Sequence, residues 1–297
     1  MTWRSQPLLL VLTGAFTGAL LLVCVTVSEQ YGAAGQVPVA AAQTPTEPAR
    51  QPEPVRQHAA PTAVPAPPAW VVGGQPLPRR RDGYGVVRST PDALVDRRLP
   101  SVDGLAPPAS GAFESTIGPV PPQVLARSTW KPTCPMQVNQ LRYLTMSFHG
   151  FDGRVHTGEM LVNADVAKAV VGIFEKLFAA GFPIEEMRVT AAPELDLPPT
   201  GDGNNTSAFV CRPSRGQTRW SAHAYGKAID LNPFHNPYVL GDLVVPELAS
   251  AYLDRDRQRP GMARSGDPAV TAFEAAGWTW GGRWAAPDFM HFSATGR

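Results

Sequence analysis

The chain carries almost no net charge. Lys and Arg number 26 and Asp and Glu 25, a formal +1 over 297 residues. A protein held to nucleic acid by phosphate contacts needs a basic excess, so that class is excluded. No internal repeat is present, which excludes solenoids and propellers. Cysteine is scarce, with only Cys24, Cys134 and Cys211. Charge is absent altogether from residues 7–27.

That uncharged run is apolar and has about the length needed to cross a bilayer as a helix. The apolar part of a cleaved signal peptide is shorter, roughly 7 to 15 residues. We read residues 1–28 as an uncleaved signal-anchor, with Arg4 inside and Glu29 outside. Cleavage near Ala33 or Ala40 is the alternative. Lipidation of Cys24 is disfavoured because Val23 is too large for the position before it. The protein is thus expected outside the cytoplasm, anchored in a bacterial plasma membrane, or secreted if the segment is cut.

Proline is abundant, with 32 residues, and most fall before residue 125. Residues 29–119 are rich in Pro, Ala, Gln and Thr, with little hydrophobic period. Such a stretch buries too little apolar surface to offset its ordering entropy. It reads as a disordered, semi-rigid stalk. The triplet Arg79, Arg80 and Arg81 within it reads as a solvated charge run.

The folded domain is expected over residues 120–297. Residues 141–148 alternate Leu144, Met146 and Phe148 on one face, as a half-buried strand does. Asp152 and Gly153 signal a turn into a second strand at 155–162. Asn163 can cap a helix whose apolar stripe runs from Val166 to Phe178, with Gly181 ending it. Asp267 and Pro268 begin another helix, and residues 289–293 read as a closing strand. Hairpin-like pairs without a regular strand–helix alternation predict an α+β fold.

The chemistry concentrates in two stretches. SAHAYGKAID, at residues 221–230, supplies His223 and Asp230. PDFMHF, at residues 287–292, supplies Asp288 and His291. Two imidazoles and a carboxylate form a common three-ligand set for a catalytic zinc, with one position left for water. Asp288 places a second carboxylate beside the third ligand, where a base is needed to move a proton.

The joint pattern Ser-x-His-x-x-Gly-x-Ala-x-Asp followed by Asp-x-x-His-Phe resembles the zinc D-alanyl-D-alanine carboxypeptidases and L-alanyl-D-glutamate endopeptidases of bacterial cell walls. The resemblance covers roughly residues 120–297. It implies a small antiparallel sheet with helices packed on one side. It implies zinc ligands His223, Asp230 and His291, with Asp288 as catalytic base. It implies an arginine ahead of the histidine motif that holds substrate or a developing oxyanion, here Arg212. Asn205, Thr206 and Ser207 match a polar segment common in such sequences and are candidate substrate contacts. Ser221 either orients His223 or binds substrate, against the plainer reading of a local backbone bond. The implied activity is zinc-dependent hydrolysis of peptidoglycan stem peptides next to a D-amino acid, by a monomer. A non-hydrolytic wall-binding or signalling module on the same fold is the alternative.

Other residues carry weaker signals. An oxidising exterior favours a Cys134–Cys211 disulfide, with two buried thiols as the alternative. His149 and His156 read as structural. His235 is a candidate for a supporting or substrate group, and the next choice as base after Asp288. Trp278, Trp280 and Trp284 read as core and pocket wall rather than a sugar-stacking face.

Overall fold

The computed structural model describes residues 70–296. The apolar run at 7–27 and the first part of the expected stalk, to residue 69, lie outside the described residues. Among the described residues no helix is long and apolar enough to cross a membrane.

In chain order the elements are α1 (Asp92–Val95), β1 (Ser115–Gly118), α2 (Pro122–Arg127), β2 (Leu141–His149), β3 (Val155–Asn163) and α3 (Ala167–Ala179). After them come β4 (Glu186–Met187), β5 (Asn205–Thr206), β6 (Ala228–Asp230), β7 (Tyr238–Leu240) and β8 (Leu243–Val245). The chain closes with α4 (Pro268–Ala275), β9 (Thr279–Trp280) and β10 (His291–Ser293).

The alternation in β2 places Leu144, Met146 and Phe148 in the core. β2 pairs antiparallel with β3, Leu144 opposite Met160 and Phe148 opposite His156, while β1 takes its other edge. The apolar stripe of α3, Val170, Ile173, Phe174 and Leu177, is buried in the same core. Gly181, at φ +64°, ends the helix region as expected. The start differs, because β3 runs through Asn163 and Val166 takes the cap position. The Asn163 side chain accepts from the Asp165 N–H at 3.0 Å and donates to the Tyr225 carbonyl at 3.2 Å. It therefore fastens β3 to the motif at 221–230 instead of capping α3.

The mixed α and β character agrees with expectation, but the single small sheet does not. The strands divide into two three-stranded antiparallel sheets, β1-β2-β3 and β6-β10-β9, and two two-stranded ones. Of these small sheets β4-β5 is parallel. The second three-stranded sheet matters most, because its register sets Asp230 opposite His291.

The stalk expectation fails for residues 70–119. Leu77 and Leu94 are buried in a second core with Phe234, Leu248, Tyr252 and Met262. Arg97 is 2% exposed. Its guanidinium meets Glu185 at 2.7 and 2.5 Å, donates to the Asp202 carbonyl at 2.8 Å, and lies 4.4 Å from the Phe234 ring centre. Further clips are Trp70 to Asp202 at 2.9 Å and Gly85 to Glu247 at 2.5 Å. The anchors are isolated apolar residues that dock on partners far along the chain. No local period could reveal them.

A buried ion pair broken on one side leaves an uncompensated charge, at about 3–5 kcal/mol. Arg97→Ala is therefore expected to lower the urea midpoint strongly by stranding Glu185. The double variant Arg97→Met with Glu185→Leu should recover part of the loss. A single variant with an unchanged midpoint would show that this segment adds no stability.

Cys134 and Cys211 are joined, across a sequence separation of 77. They lie in a third core with Met136, Leu141, Leu161 and Phe209. The bond ties the segment between α2 and β2 to the residue before Arg212.

Candidate functional site

The motif at 221–230 folds as a capped turn feeding a strand. The Ser221 hydroxyl accepts from the His223 N–H at 3.3 Å and so starts a 3-10 turn, Ala222–Tyr225. Gly226 ends it at φ +62°, and a Cβ there would lie 2.6 Å from the Asn163 nitrogen. Glycine is required on both counts. The chain then enters β6, which delivers Asp230.

The His223 ring is fixed from behind. Its Nδ1 lies 2.7 Å from the Ala208 carbonyl oxygen, which can only accept, so Nδ1 carries the proton. Nε2 is left with its lone pair facing the site, the usual arrangement for a ligating histidine. His223 Nε2 lies 3.2 Å from His291 Nδ1 and 3.2 Å from Asp230 Oδ1. His291 Nδ1 lies 3.1 Å from the same Asp230 oxygen. Three donor atoms thus form a nearly equilateral triangle. Donors about 2.0–2.1 Å from a tetrahedral zinc would stand about 3.3–3.4 Å apart. The donor types and spacing fit that ion. Burial opposes ionisation of Asp230, yet His223 and His291 hold its carboxyl far below the usual range.

Asp288 reaches the same place from a separately braced segment. Its N–H donates to the Gly281 carbonyl at 3.0 Å, and the neighbouring Val239 N–H donates to Pro287 at 2.8 Å. A Cβ at Gly281 would lie 2.7 Å from the Asp288 carbonyl oxygen, so glycine permits this approach. Among the described residues, Asp288 Oδ1 is buried without a hydrogen-bond partner. Burial first, and the Asp230 charge second, push its carboxyl up to about 7. A carboxyl poised near neutrality suits proton transfer in both directions.

The remaining expected residues separate. Arg212 is half-buried, and Asp230 acts on its charge. Ser207 pairs through its backbone with Asp230, at 3.1 and 2.9 Å. Ser221 makes the local backbone bond and also lines a cavity of about 890 Å³ with Trp220, Tyr225, Lys227, Trp284 and His291. Asn205 is engaged within the protein. Its amide bonds the Arg188 N–H and carbonyl at 2.9 and 3.1 Å, bracing β4 against β5.

His235 is removed from consideration as a base. It is fully buried, stacked 4.7 Å from Phe151, and bonded to the Arg97 carbonyl at 3.1 Å. Burial drives its pKa down to about 3. His156 is structural, held between Asp103 at 2.6 Å and Asp152 at 3.1 Å. Trp278 and Trp280 belong to the core. Trp284 is a wall, 5.4 Å from the His291 ring.

Two tyrosines near the site escaped the sequence reading. Tyr238 sits on β7, with its backbone bridged to Asp288. Tyr84 comes from the supposed stalk and lies under the Arg215 guanidinium at 4.5 Å. Neither carries a motif that would have marked it.

No match to the chain was found among curated proteins or among solved structures. A family model described as D-alanyl-D-alanine carboxypeptidase does match, over residues 215–294. That stretch holds His223, Asp230, Asp288 and His291, and it excludes Arg212 and everything before it. Peptidases of this superfamily are typically zinc-dependent, in keeping with the His, Asp and His group. The match covers less than half of the chain and shows that this stretch is similar to D-alanyl-D-alanine carboxypeptidases.

Proposed function

We propose that the protein is a zinc-dependent peptidase that cleaves peptidoglycan stem peptides next to a D-amino acid. The observation that carries this reading is the triangle of His223, Asp230 and His291 beside the unpartnered Asp288 oxygen. His223 through Nε2, His291 through Nδ1 and Asp230 through a carboxylate oxygen would hold the ion. Zinc bound there would polarise the scissile carbonyl and acidify water.

The chain's own groups do the rest. Asp288 accepts a proton from the attacking water at its carboxylate and returns it to the leaving amine. Arg212 offers a cation beside Asp230, suited to the charge that builds on the attacked carbonyl oxygen. Ser221 holds the His223 turn. The cavity beside His291 is large enough for several residues of a peptide. The Cys134–Cys211 bond favours an oxidising location, so the enzyme is proposed to act outside the cytoplasm. Residues 1–28 would serve as its anchor or export signal, and the working unit would be a monomer.

The test is to incubate the zinc-loaded protein with defined stem peptides and identify products by mass spectrometry. Cleavage that stops with a chelator and returns with zinc is expected. A folded, zinc-loaded sample that cuts no stem peptide would overturn the reading in favour of a wall-binding module.

A further inference from the structure

Residues 207–211 form one strip that touches two residues of the His, Asp and His group. The Ser207 N–H donates to the Asp230 carbonyl at 3.1 Å, and the Asp230 N–H donates back to Ser207 at 2.9 Å. The Ala208 carbonyl accepts from His223 Nδ1 at 2.7 Å. The Val210 N–H donates to the His223 carbonyl at 3.2 Å. Just beyond the strip, the Arg212 carbonyl accepts from the N–H of Ser221, the residue that caps the His223 turn, at 3.2 Å. The ring, the backbone and the cap of His223 are thus all bonded to residues 208–212. These residues lie before 215, where the family match begins.

Residues 208–212 belong to no helix or strand, so no ladder fixes where they run. Their seat on the domain includes three ties. The Phe209 N–H donates to the Leu161 carbonyl at 3.1 Å. The Cys211 N–H donates to the Thr129 hydroxyl at 2.9 Å. The Cys211 sulfur is joined to Cys134. Two of these three ties meet at Cys211. That residue stands between Val210 and Arg212, which carry the backbone bonds to His223 and to Ser221. Both cysteines are buried in the third core with Leu161 and Phe209. A close-packed interior passes a shift of Cys211 on to its neighbours.

We propose that Cys211 is a positioning residue for the metal group, and that its bond to Cys134 sets how tightly the folded protein holds zinc. A disulfide stabilises mainly by constraining the unfolded chain. Loss of a bond acting only in that way lowers the thermal midpoint and leaves zinc affinity alone, as long as the folded state predominates. A bond that seats the Ala208 carbonyl behind His223 acts on the folded state instead. Without it the imidazole loses the fixed acceptor that keeps its proton on Nδ1 and its lone pair on Nε2. Resting on the zinc reading, this makes an intact disulfide a condition for a tight metal site. It also gives residues outside the family match a part in holding two of the ligands inside it.

The experiment compares the full chain with the double variant Cys134→Ala, Cys211→Ala at a temperature where both are folded. Zinc affinity is read by competition with a chromophoric chelator. The His223 tautomer of the zinc-free protein is read by long-range proton–nitrogen correlation, its signal assigned by absence in His223→Ala. The double variant should bind zinc about tenfold or more weakly, the scale of losing the support behind a ligand. Its His223 should no longer show a single Nδ1–H form. Leu94→Ala is the control for stability alone, because Leu94 is buried in the second core. It should lower the thermal midpoint and keep the parent's zinc affinity and tautomer. Thr129→Val removes the other tie at Cys211 with the disulfide intact and should also weaken zinc binding. Thr129→Ser keeps the hydroxyl and should bind as the parent does. Parent affinity and tautomer in the folded double variant would overturn the positioning role, as would an equal loss of zinc in Leu94→Ala. If the double variant does not fold, the Thr129 pair decides, and parent affinity in Thr129→Val overturns the role. A parent that binds zinc no more tightly than its double variant removes this role alone. A folded parent that binds no zinc removes the zinc reading with it.

Discussion

His223→Ala and His291→Ala are each expected to lose zinc and peptide cleavage together. Each variant deletes one corner of a triangle whose donor atoms stand 3.1–3.2 Å apart. Two protein ligands and solvent cannot hold the ion tightly in an open site. The fold should survive in both cases, for different reasons. His223 leaves behind a turn already fixed by Ser221 and Gly226, and His291 leaves a strand held by its backbone register to β6. Zinc content per chain and the rate of cleavage are measured on the same preparations. One zinc per chain retained in both variants would refute the ligand assignment.

The second large effect separates two carboxylates near the same point. Asp288→Asn should keep zinc and fold but lose turnover by about a hundredfold or more, the scale of general acid–base catalysis. The amide conserves size but cannot take up a proton and hand it on. Asp230→Asn should instead weaken zinc binding itself, because a neutral amide is a poorer ligand than a carboxylate. The structure explains why the two differ. Asp230 shares one oxygen between both imidazoles, whereas Asp288 Oδ1 has no hydrogen-bond partner among the described residues and feels the charge of Asp230. If Asp288→Asn loses zinc while Asp230→Asn keeps it, the roles are reversed. If Asp288→Asn cleaves at the parent rate, the base is not Asp288. His235 would not then replace it, because that ring is sealed in the second core by Phe151, Tyr252 and the Arg97 carbonyl.

The grouping of His223, Asp230 and His291 was legible from residues alone because each of them lies in a short segment with its own local signals. Ser221 caps, Gly226 turns, and Asp230 follows on a strand, all within one motif. The strands β2 and β3 and helix α3 were legible for a related reason, since each buries one face and that face leaves a period in the chain. Periodicity and caps are local, and so is what they reveal. Tertiary structure decided the rest. It chose His223 Nε2 over Nδ1 by placing the Ala208 carbonyl behind the ring. It set His291 against Asp230 through the β6–β10 register. It gave the Asn205 amide to Arg188, and His235 to a core. It also drew residues 70–119 onto the domain, where the sequence shows only proline, scattered apolar residues and unexplained arginines. Arg97 is buried because Glu185, Asp202 and Phe234 surround it, and none of them is its neighbour in the chain. Long-range docking of this kind leaves no period to read, because its stability comes from contacts made once and not from a face repeated along an element.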